Sequence, residues 1–486
     1  MISSPADLVS TPLQPHAVDS LRPRFDALYA ASRAAIDVPL AVRRDRLVRM
    51  KNLLDVHGDE LAQAVQADFG VRSPQLTEIA DIFVLRSLLS NTLKSLARWM
   101  KPQKVRTPIY LQPSRAFLQR QPLGVVGVIS PWNYPVQLAL APVITALAAG
   151  NRVMLKPSEL TPQTSALLAT LLGQVFAPDE GCVVHGDGAL AAAFAALPFD
   201  HLFFTGSTAI GRQVGAAAAV NLTPTTLELG GKSPCIIDAS CTGEALDKAA
   251  LQIAHGKLLN AGQTCIAPDY VLLPAGQEQA FADAYTRAVK QLFPTIAGNP
   301  DYAAIINTRH HQRLRDVLQQ AEGEGARLHV IGGDMFIDAK RQMPPVLVFN
   351  AAATSRVMTD EIFGPILPVL ACADADAAIS YINARPRPLA LYWFGRDTFA
   401  RDAVLARTVS GGVTVNDTLM HIAHENLPFG GVGDSGWGAY HGEAGFLRLT
   451  HQKPVLLQSR WTRGDLFYPP YGARFKRVMG WMRQVI

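Results

Sequence analysis

The chain has 486 residues, of which 49% are hydrophobic and 17% are charged. This composition excludes a disordered chain, and the length predicts two or more domains. The 45 basic and 40 acidic residues give a formal net charge of +5. Because no segment is dense in Lys and Arg, we expect no nucleic-acid partner.

Five cysteines are a small and odd number for this length, and no two of them have CxxC spacing. This pattern excludes a disulfide framework, indicates no bound metal and favours a reducing compartment. The amino-terminal residues lack a signal-peptide pattern, and the richest apolar stretch is interrupted by Pro, Gly and Asn residues. The sequence therefore predicts a cytoplasmic protein.

In chain order, the first predicted elements are helices, because apolar residues recur at helical spacing between about residues 24 and 100. Residues 107–111 and 116–119 flank a Pro-containing turn and predict a hairpin of two short strands. Strand and helix patterns then alternate. The predicted strands are residues 124–129, 152–155, 182–184, 201–204 and 345–348, and the predicted helices are residues 135–149, 161–176, 189–196 and 278–293. This alternation predicts an α/β protein with mainly parallel sheets, divided near Gly230 and Gly231.

One cysteine has a local sequence that suits a nucleophile. Cys265 follows a polar, Gly-containing turn in the segment NAGQTCIAP. A thiolate is the strongest nucleophile among common side chains near neutral pH, and it needs an approachable backbone and electropositive surroundings. Taken alone, the segment fits a structural cysteine better, because buried free cysteines are common.

Two further side chains suit acid–base or oxyanion chemistry. Glu228 ends an apolar stretch in LELGGKSP and fits either a general base in apolar surroundings or a solvated carboxylate at a strand end. Asn133, in SPWNYP between a predicted strand and a predicted helix, fits either an amide that donates to a developing oxyanion or a Pro-bounded turn.

Two segments that follow predicted strands suit a nucleotide. Gly206, Ser207 and Gly211 belong to FTGSTAIG, which opens a helix whose free N–H groups favour phosphate, although the pattern is not GxGxxG. Lys156 and Glu159, in LKPSE, are placed to meet ribose hydroxyls. A plain strand-to-helix turn and a solvated charged turn are the alternatives for these two segments.

Together and in this order, the motifs PWNYP, LKPSE, FTGSTxxG, ELGGKSP, GQTC, EIFGP and LPFGGVGDSG resemble the aldehyde dehydrogenase superfamily from about residue 25 to about residue 460. The segments CIAPDY, GWGAYHG and YPPY, with the Tyr of PWNYP, resemble its class 3 branch, which includes coniferyl and fatty aldehyde dehydrogenases, and the coniferyl type above all. The resemblance implies an aldehyde dehydrogenase-like fold with two Rossmann-like parallel-sheet domains and a small oligomerisation hairpin.

The resemblance also implies a domain division and a homodimer. The NAD(P)-binding domain is expected at residues 1–102 and 120–229, and the catalytic domain at residues 230–424. Oligomerisation strands are expected at residues 103–119 and 445–462, and a tail helix at residues 463–486.

The site roles that follow from the resemblance are these. Cys265 is the nucleophile, Asn133 and the Cys265 N–H form the oxyanion hole, and Glu228 is the general base. The residues expected to bind NAD, with NADP as a second possibility, are Lys156, Glu159, Trp132, Gly206, Ser207, Gly211, Leu229, Glu361 and Phe363. Tyr134, Thr264 and His441 are expected to line the substrate funnel. The Glu159 carboxylate should repel a 2′-phosphate and favour NAD.

The implied reaction oxidises an aldehyde to the carboxylic acid through a thioester that water hydrolyses. The substrate is either aromatic, such as coniferyl aldehyde, or a medium- or long-chain aliphatic aldehyde. A dehydrogenase that passes the acyl group to coenzyme A is one alternative, and Glu228 argues against it. A non-catalytic scaffold is the other, and the joint presence of Cys265, Glu228 and Asn133 argues against it.

The tail is amphipathic. Its apolar residues Phe475, Val478, Met479, Met482, Val485 and Ile486 share one helical face, and its charges are Arg474, Lys476, Arg477 and Arg483. A lid over the substrate funnel or partner subunit, a membrane-surface helix and core packing are the three interpretations. We favour the lid, because a short helix with one basic cluster binds membranes only weakly.

Overall fold

The computed structural model describes residues 16–333, 340–461 and 464–485. The helices are α1 (Leu21–Ala34), α2 (Leu40–Phe69), α3 (Pro74–Thr77), α4 (Val84–Trp99), α5 (Gln137–Ala148), α6 (Pro162–Val175), α7 (Gly188–Ala195), α8 (Thr208–Val220), α9 (Glu244–Leu258), α10 (Glu278–Leu292), α11 (Thr308–Gly323), α12 (Arg356–Thr359), α13 (Ala375–Asn383), α14 (Thr398–Arg407), α15 (Gly442–Arg448) and α16 (Ala473–Val485). A π-helical stretch, Glu78–Phe83, joins α3 to α4.

The strands are β1 (Gln103–Val105), β2 (Arg115–Pro122), β3 (Val125–Ile129), β4 (Arg152–Lys156), β5 (Gly181–Val183), β6 (His201–Thr205), β7 (Thr225–Glu228), β8 (Pro234–Ile237), β9 (Tyr270–Pro274), β10 (Arg327–Val330), β11 (Val346–Phe349), β12 (Ile366–Cys372), β13 (Ala390–Phe394), β14 (Gly412–Val415), β15 (Gly436–Trp437) and β16 (Thr450–Leu457). The predicted strands 124–129, 152–155, 182–184, 201–204 and 345–348 all occur, with ends that differ by one residue. The predicted helices occur as α5, α6, α7 and α10.

The first sheet has the strand order β15-β7-β6-β3-β4-β5. Its strands are parallel except for β15, which runs antiparallel to β7. The two strands that neighbour β3 in this sheet, β4 and β6, lie on opposite sides of it. Such a reversal opens a crevice at the carboxyl ends of the strands, where doubly wound sheets bind ligands.

The second sheet has the order β10-β11-β12-β9-β8-β13-β14, with β10 antiparallel and the others parallel. The chain passes from the first sheet to the second between Glu228 and Pro234, around the glycines where the sequence predicts a division. Two mainly parallel sheets confirm the predicted α/β class. The cofactor-binding and catalytic domains stay predictions.

The third sheet is small and antiparallel, in the order β1-β2-β16. The predicted hairpin is therefore present, but the prediction of its first strand at residues 107–111 was wrong. That strand is β1, which pairs with β2 up to Val105, and Ile109–Leu111 forms a 3-10 turn instead. Pro108 lacks an N–H group, so this segment is a poor continuation of the ladder.

Helices cover the large sheets, and one apolar cluster connects them. All twelve residues of α5 are buried, and the same cluster contains Val128 of β3, Val271 of β9 and Leu391 of β13. The apolar positions of α2 predicted from helical spacing, Leu47, Met50, Leu53 and Leu54, also lie in this cluster.

The tail helix α16 lies outside this core. Its side chains from Ala473 to Gln484 are half-buried or exposed, and none is buried. Core packing was therefore the wrong interpretation for this part of the tail, while Ile486 lies outside the described residues. Across the described ranges, no helix has both the length and the apolar content needed to cross a membrane.

Candidate active site

The nucleophile candidate Cys265 follows a tightly wound turn. Asn260, Ala261 and Gly262 all have left-handed backbone, with φ of 52°, 53° and 78°. A Cβ on Gly262 would lie 2.3 Å from the carbonyl oxygen of Gly364, so only glycine fits there. The side chain of Gln263 fixes the turn, since its amide donates to the carbonyls of Asn260 and Ala304.

The surroundings of Cys265 keep its thiol protonated. Burial raises its pKa to about 12, and the charges of Glu361 and Glu228 act in the same direction. The backbone N–H groups of Cys265 and Ile266 donate toward the sulfur and oppose the rise. These N–H groups are electropositive, as a nucleophilic cysteine requires, but burial and the two carboxyls outweigh them.

Glu228 is the last residue of β7 and is only 3% exposed. Neither carboxyl oxygen has a hydrogen-bond partner among the described residues. Burial raises the pKa of this carboxyl well above its ordinary value. The solvated strand-end interpretation was therefore wrong, and the geometry is that of a carboxyl held in apolar surroundings.

Asn133 is also buried, and it connects two of the motifs. Its amide Nδ2 donates to the carbonyl of Gln263 over 3.1 Å, which places it beside the Cys265 turn. Its backbone carbonyl accepts from Nη1 of Arg72 at 2.6 Å and from Nδ2 of Asn260 at 2.9 Å.

Arg72 belongs to a buried cluster that the sequence analysis missed. Its Nη2 lies 2.7 Å from Oδ2 of Asp81, and both side chains are 0% exposed. The Oδ1 of Asp81 accepts from the backbone N–H groups of Val136 and Gln137 at the start of α5. Arg72 Nη1 also donates to Oδ1 of Asn260. The sequence signal was a lone aspartate within the apolar segment EIADIF.

Cys265 opens onto a cavity of about 230 Å3. The three predicted substrate residues, Tyr134, Thr264 and His441, line the same cavity. The hydroxyls of Tyr134 and Thr264 share a hydrogen bond of 2.6 Å. Most of the remaining wall is apolar, and it includes Leu76, Leu85, Leu88, Leu138, Leu419 and Ile422. Glu228 and Asn133 are not among the residues that line this cavity.

The expected cofactor residues of the first sheet lie at the carboxyl ends of its strands. Lys156 ends β4, is 2% exposed, and places its Nζ 2.6 Å from Oε2 of Glu159. Trp132 follows β3, and its ring packs edge-to-face on Phe363 at 5.4 Å. Phe363 lies between α12 and β12 of the second sheet, so this ring pair brings a loop of the second sheet against the loop that follows β3.

The segment after β6 opens helix α8, as the sequence predicts. Ser207 caps α8 by accepting from the N–H of Ile210. A Cβ on Gly206 would lie 2.6 Å from the Phe204 ring, and a Cβ on Gly211 would lie 2.5 Å from Leu229. Because neither glycine has a Cβ, Phe204 and Leu229 can pack closely against the start of α8, at the carboxyl ends of the strands.

Glu361 lies next to Gly230 and within electrostatic reach of Cys265. Its carboxylate accepts from the N–H of Gly231, and a Cβ on Gly230 would lie 2.0 Å from its Oε2. Burial and the nearby Asp269 charge raise its pKa to about 8. It is thus a second carboxyl with raised pKa within electrostatic reach of the thiol.

The part of the chain that the structure describes contains no group of three His, Cys, Asp or Glu side chains arranged to hold a metal. A cysteine on a cavity wall, buried carboxyls within its electrostatic reach and a doubly wound sheet in the same chain are typical of nucleotide-dependent enzymes with a covalent step.

The comparisons with known proteins give the family. Residues 20–455 match the aldehyde dehydrogenase family. The chain is 45% identical to a probable coniferyl aldehyde dehydrogenase of Pseudomonas aeruginosa, over 94% of this chain and 95% of that protein. It is 39% identical to aldehyde dehydrogenase family 3 member A2 of Mus musculus, over 91% and 90%. The substrate-bound Staphylococcus aureus AldH structure superposes with a TM-score of 0.90 and 34% identity, over 95% of this chain and 99% of that chain.

The chain therefore belongs to the aldehyde dehydrogenase family. It is an oxidoreductase that oxidises aldehydes to acids with NAD(P)+. The resemblance to the class 3 and coniferyl types inferred from the motifs is confirmed.

Proposed function

We propose that this enzyme oxidises an apolar aldehyde, aromatic or medium- to long-chain, through a thioester on Cys265 that Glu228 helps to hydrolyse. The observation that carries the proposal is the position of Cys265 on the wall of an apolar cavity, with two backbone N–H groups at its sulfur. Coniferyl aldehyde is the first substrate to test, because relatives of this chain carry that name.

In the first step, the Cys265 thiol releases its proton to solvent in the cavity, the sulfur bonds to the aldehyde carbon and the carbonyl π electrons move to oxygen. The Asn133 amide and the Cys265 N–H donate to that oxygen, a contact worth about 3–4 kcal/mol in the transition state. A bound NAD(P)+ would supply the acceptor for the hydride that leaves this carbon, and the loss of that hydride oxidises the carbon to the thioester level.

In the second step, Glu228 removes a proton from water as the oxygen attacks the thioester carbon. The C–S bond then breaks, which releases the acid and returns the sulfur of Cys265. Because Glu228 is buried without a partner, its raised pKa makes it a strong base once it is deprotonated.

For the cofactor, we propose that Lys156 and Glu159 hold the adenosine ribose and that Gly206, Ser207, Gly211, Leu229 and Trp132 surround the pyrophosphate. Glu361 and Phe363 would position the nicotinamide half. The helix start at Ser207 supports the phosphate assignment, and the Lys156–Glu159 pair supports NAD over NADP.

For assembly, we propose a homodimer that uses the small antiparallel sheet. Both of its outer strands, β1 and β16, have mostly exposed side chains and one unpaired edge each among the described residues. Sedimentation of the full chain at micromolar concentration tests this assignment, since a monomer would contradict it.

For the tail helix α16, the lid is still our preferred interpretation, with weak membrane-surface contact as the alternative.

The test is an absorbance assay for NAD(P)H with aromatic, medium-chain and long-chain aldehydes and both cofactors. We expect turnover with at least one class, and loss of it in Cys265→Ala. Product analysis with and without coenzyme A separates hydrolysis from acyl transfer. A hydrolytic enzyme should form only the acid in both cases, whereas acyl transfer would give the coenzyme A thioester when coenzyme A is present. Substantial turnover by Cys265→Ala would contradict the proposal.

A further inference from the structure

One acidic side chain on the substrate cavity has no role in the chemistry described so far. Glu425 lines the cavity that contains Cys265. Its Oε2 is buried and has no hydrogen-bond partner among the described residues, while the hydroxyl of Ser87 donates to the carboxyl group. An unpaired buried acceptor is costly, so a position of this kind suits a ligand that brings a donor.

Among the other polar groups of the cavity wall, Tyr134 and Thr264 share a hydrogen bond, and Gln137 contacts the hydroxyl of Tyr440. The buried Nδ1 of His441 has no hydrogen-bond partner among the described residues. His441 does not form an ion pair with Glu425, because burial lowers its pKa to about 4 and keeps the ring neutral. Glu425 therefore retains hydrogen-bonding capacity that the substrate can use.

Glu425 and Cys265 line the same cavity, and both lie within electrostatic reach of the buried hydroxyl of Tyr440. An aldehyde in this cavity whose carbonyl meets Cys265 can therefore contact Glu425 with another part of the molecule. In such pockets a few polar groups fix the orientation of an otherwise apolar ligand.

From the shared cavity and the unpartnered Oε2 we infer that Glu425 is a specificity-determining residue, which accepts a hydrogen bond from a hydroxyl group that the substrate carries away from its aldehyde carbon. The substrate class is an apolar aromatic aldehyde with a phenolic hydroxyl. A phenol is a stronger donor than an aliphatic alcohol, and its flat ring suits the Leu- and Ile-rich wall. The inference rests on the proposed function, because it assumes that this cavity holds the aldehyde.

The test compares kcat/KM for 4-hydroxycinnamaldehyde and cinnamaldehyde, which differ only in the hydroxyl. We expect the wild-type enzyme to favour the hydroxylated aldehyde about ten-fold or more, since a site built for a hydroxyl rejects the analogue without it. Glu425→Leu should reduce that ratio to about one by the same reasoning. Glu244→Gln, which changes an exposed carboxylate at the start of α9, is the control and should keep the ratio.

Three results would overturn the inference. They are a wild-type ratio near one, a ratio that persists in Glu425→Leu, and an equal or larger preference for an ω-hydroxyalkyl aldehyde over its alkyl analogue. Calorimetric binding of both cinnamaldehydes to Cys265→Ala gives the same comparison without turnover. Failure of the proposed function would appear separately, as absent turnover of every aldehyde or as retained turnover in Cys265→Ala.

Discussion

Nη2 of Arg72 lies 2.7 Å from Oδ2 of Asp81, and solvent reaches neither side chain. The pair connects the start of α5, through the Asp81 carboxylate, to the carbonyl of Asn133, through the Arg72 guanidinium. This buried ion pair therefore holds the oxyanion-hole candidate against the helix that follows it.

We expect Arg72→Met to lower the free energy of unfolding by about 3–5 kcal/mol, because it leaves the Asp81 carboxylate buried without its cation. Replacing both residues, as Arg72→Met with Asp81→Leu, should recover part of that loss. Urea unfolding monitored by circular dichroism measures both variants. A single variant as stable as the wild type would show that the pair has no such structural role.

The Cys265 thiol should titrate at a lower pH when a neighbouring carboxylate is removed. Above pH 8 Glu361 is charged, because its pKa is about 8, and its charge then opposes formation of the thiolate. Glu361→Gln should therefore shift the pH profile of Cys265 alkylation by iodoacetamide toward lower pH. Mass spectrometry of the Cys265 peptide gives the rates, and an unshifted profile would disprove the electrostatic link.

The raised pKa of Glu228 predicts a stability that depends on pH. Above its ordinary value of 4.5, the unfolded chain releases this proton while the folded chain keeps it. The folded state is therefore destabilised as the pH rises from that value toward the raised pKa, by about 1.4 kcal/mol for each pH unit crossed. Glu228→Gln removes the titrating carboxyl, so the stability of this variant should lack this contribution to its pH dependence.

Thermal unfolding of the wild type and of Glu228→Gln at pH 5 and pH 8 measures this effect. We expect the variant's Tm, relative to the wild type, to be higher at pH 8 than at pH 5. Glu244→Gln, at an exposed carboxylate, serves as the control and should show little change. A relative Tm that is the same at both pH values would contradict the assignment of a raised pKa to Glu228.

Cofactor preference should follow the Glu159 carboxylate. Its Oε2 neutralises Lys156 Nζ at 2.6 Å, and its side chain is 46% exposed at the carboxyl end of β4. Glu159→Gln removes the charge that repels a 2′-phosphate, and it leaves Lys156 free to attract one. The kcat/KM ratio of NADP to NAD should rise about ten-fold. An unchanged ratio would mean that another residue selects the cofactor.

Local patterns predicted much of this site, because its residues lie at strand ends and helix starts that the sequence marks directly. The strand β3, the turn at Asn133 and the helix start at Ser207 all follow from patterns within a few residues. Arg72 was missed, because its partner Asn260 is 188 positions away in sequence and only packing brings them together.

Contacts between residues that are distant in sequence also explain why the small sheet and Glu425 could not be predicted. The strand β2 has its longer partner in β16, more than 300 residues later, so the small sheet could not be predicted from residues 103–119 alone. Glu425 gives no sequence signal either, since its significance depends on the cavity formed by α3, α4 and the Cys265 turn.

The most direct test of the thioester mechanism is intact and peptide mass spectrometry of Glu228→Gln, quenched in acid after mixing with NAD+ and aldehyde. Without its general base, the enzyme should form about one NADH per active site and retain the acyl group on the peptide that contains Cys265. Multiple turnovers with no acyl adduct on Cys265 would contradict the account.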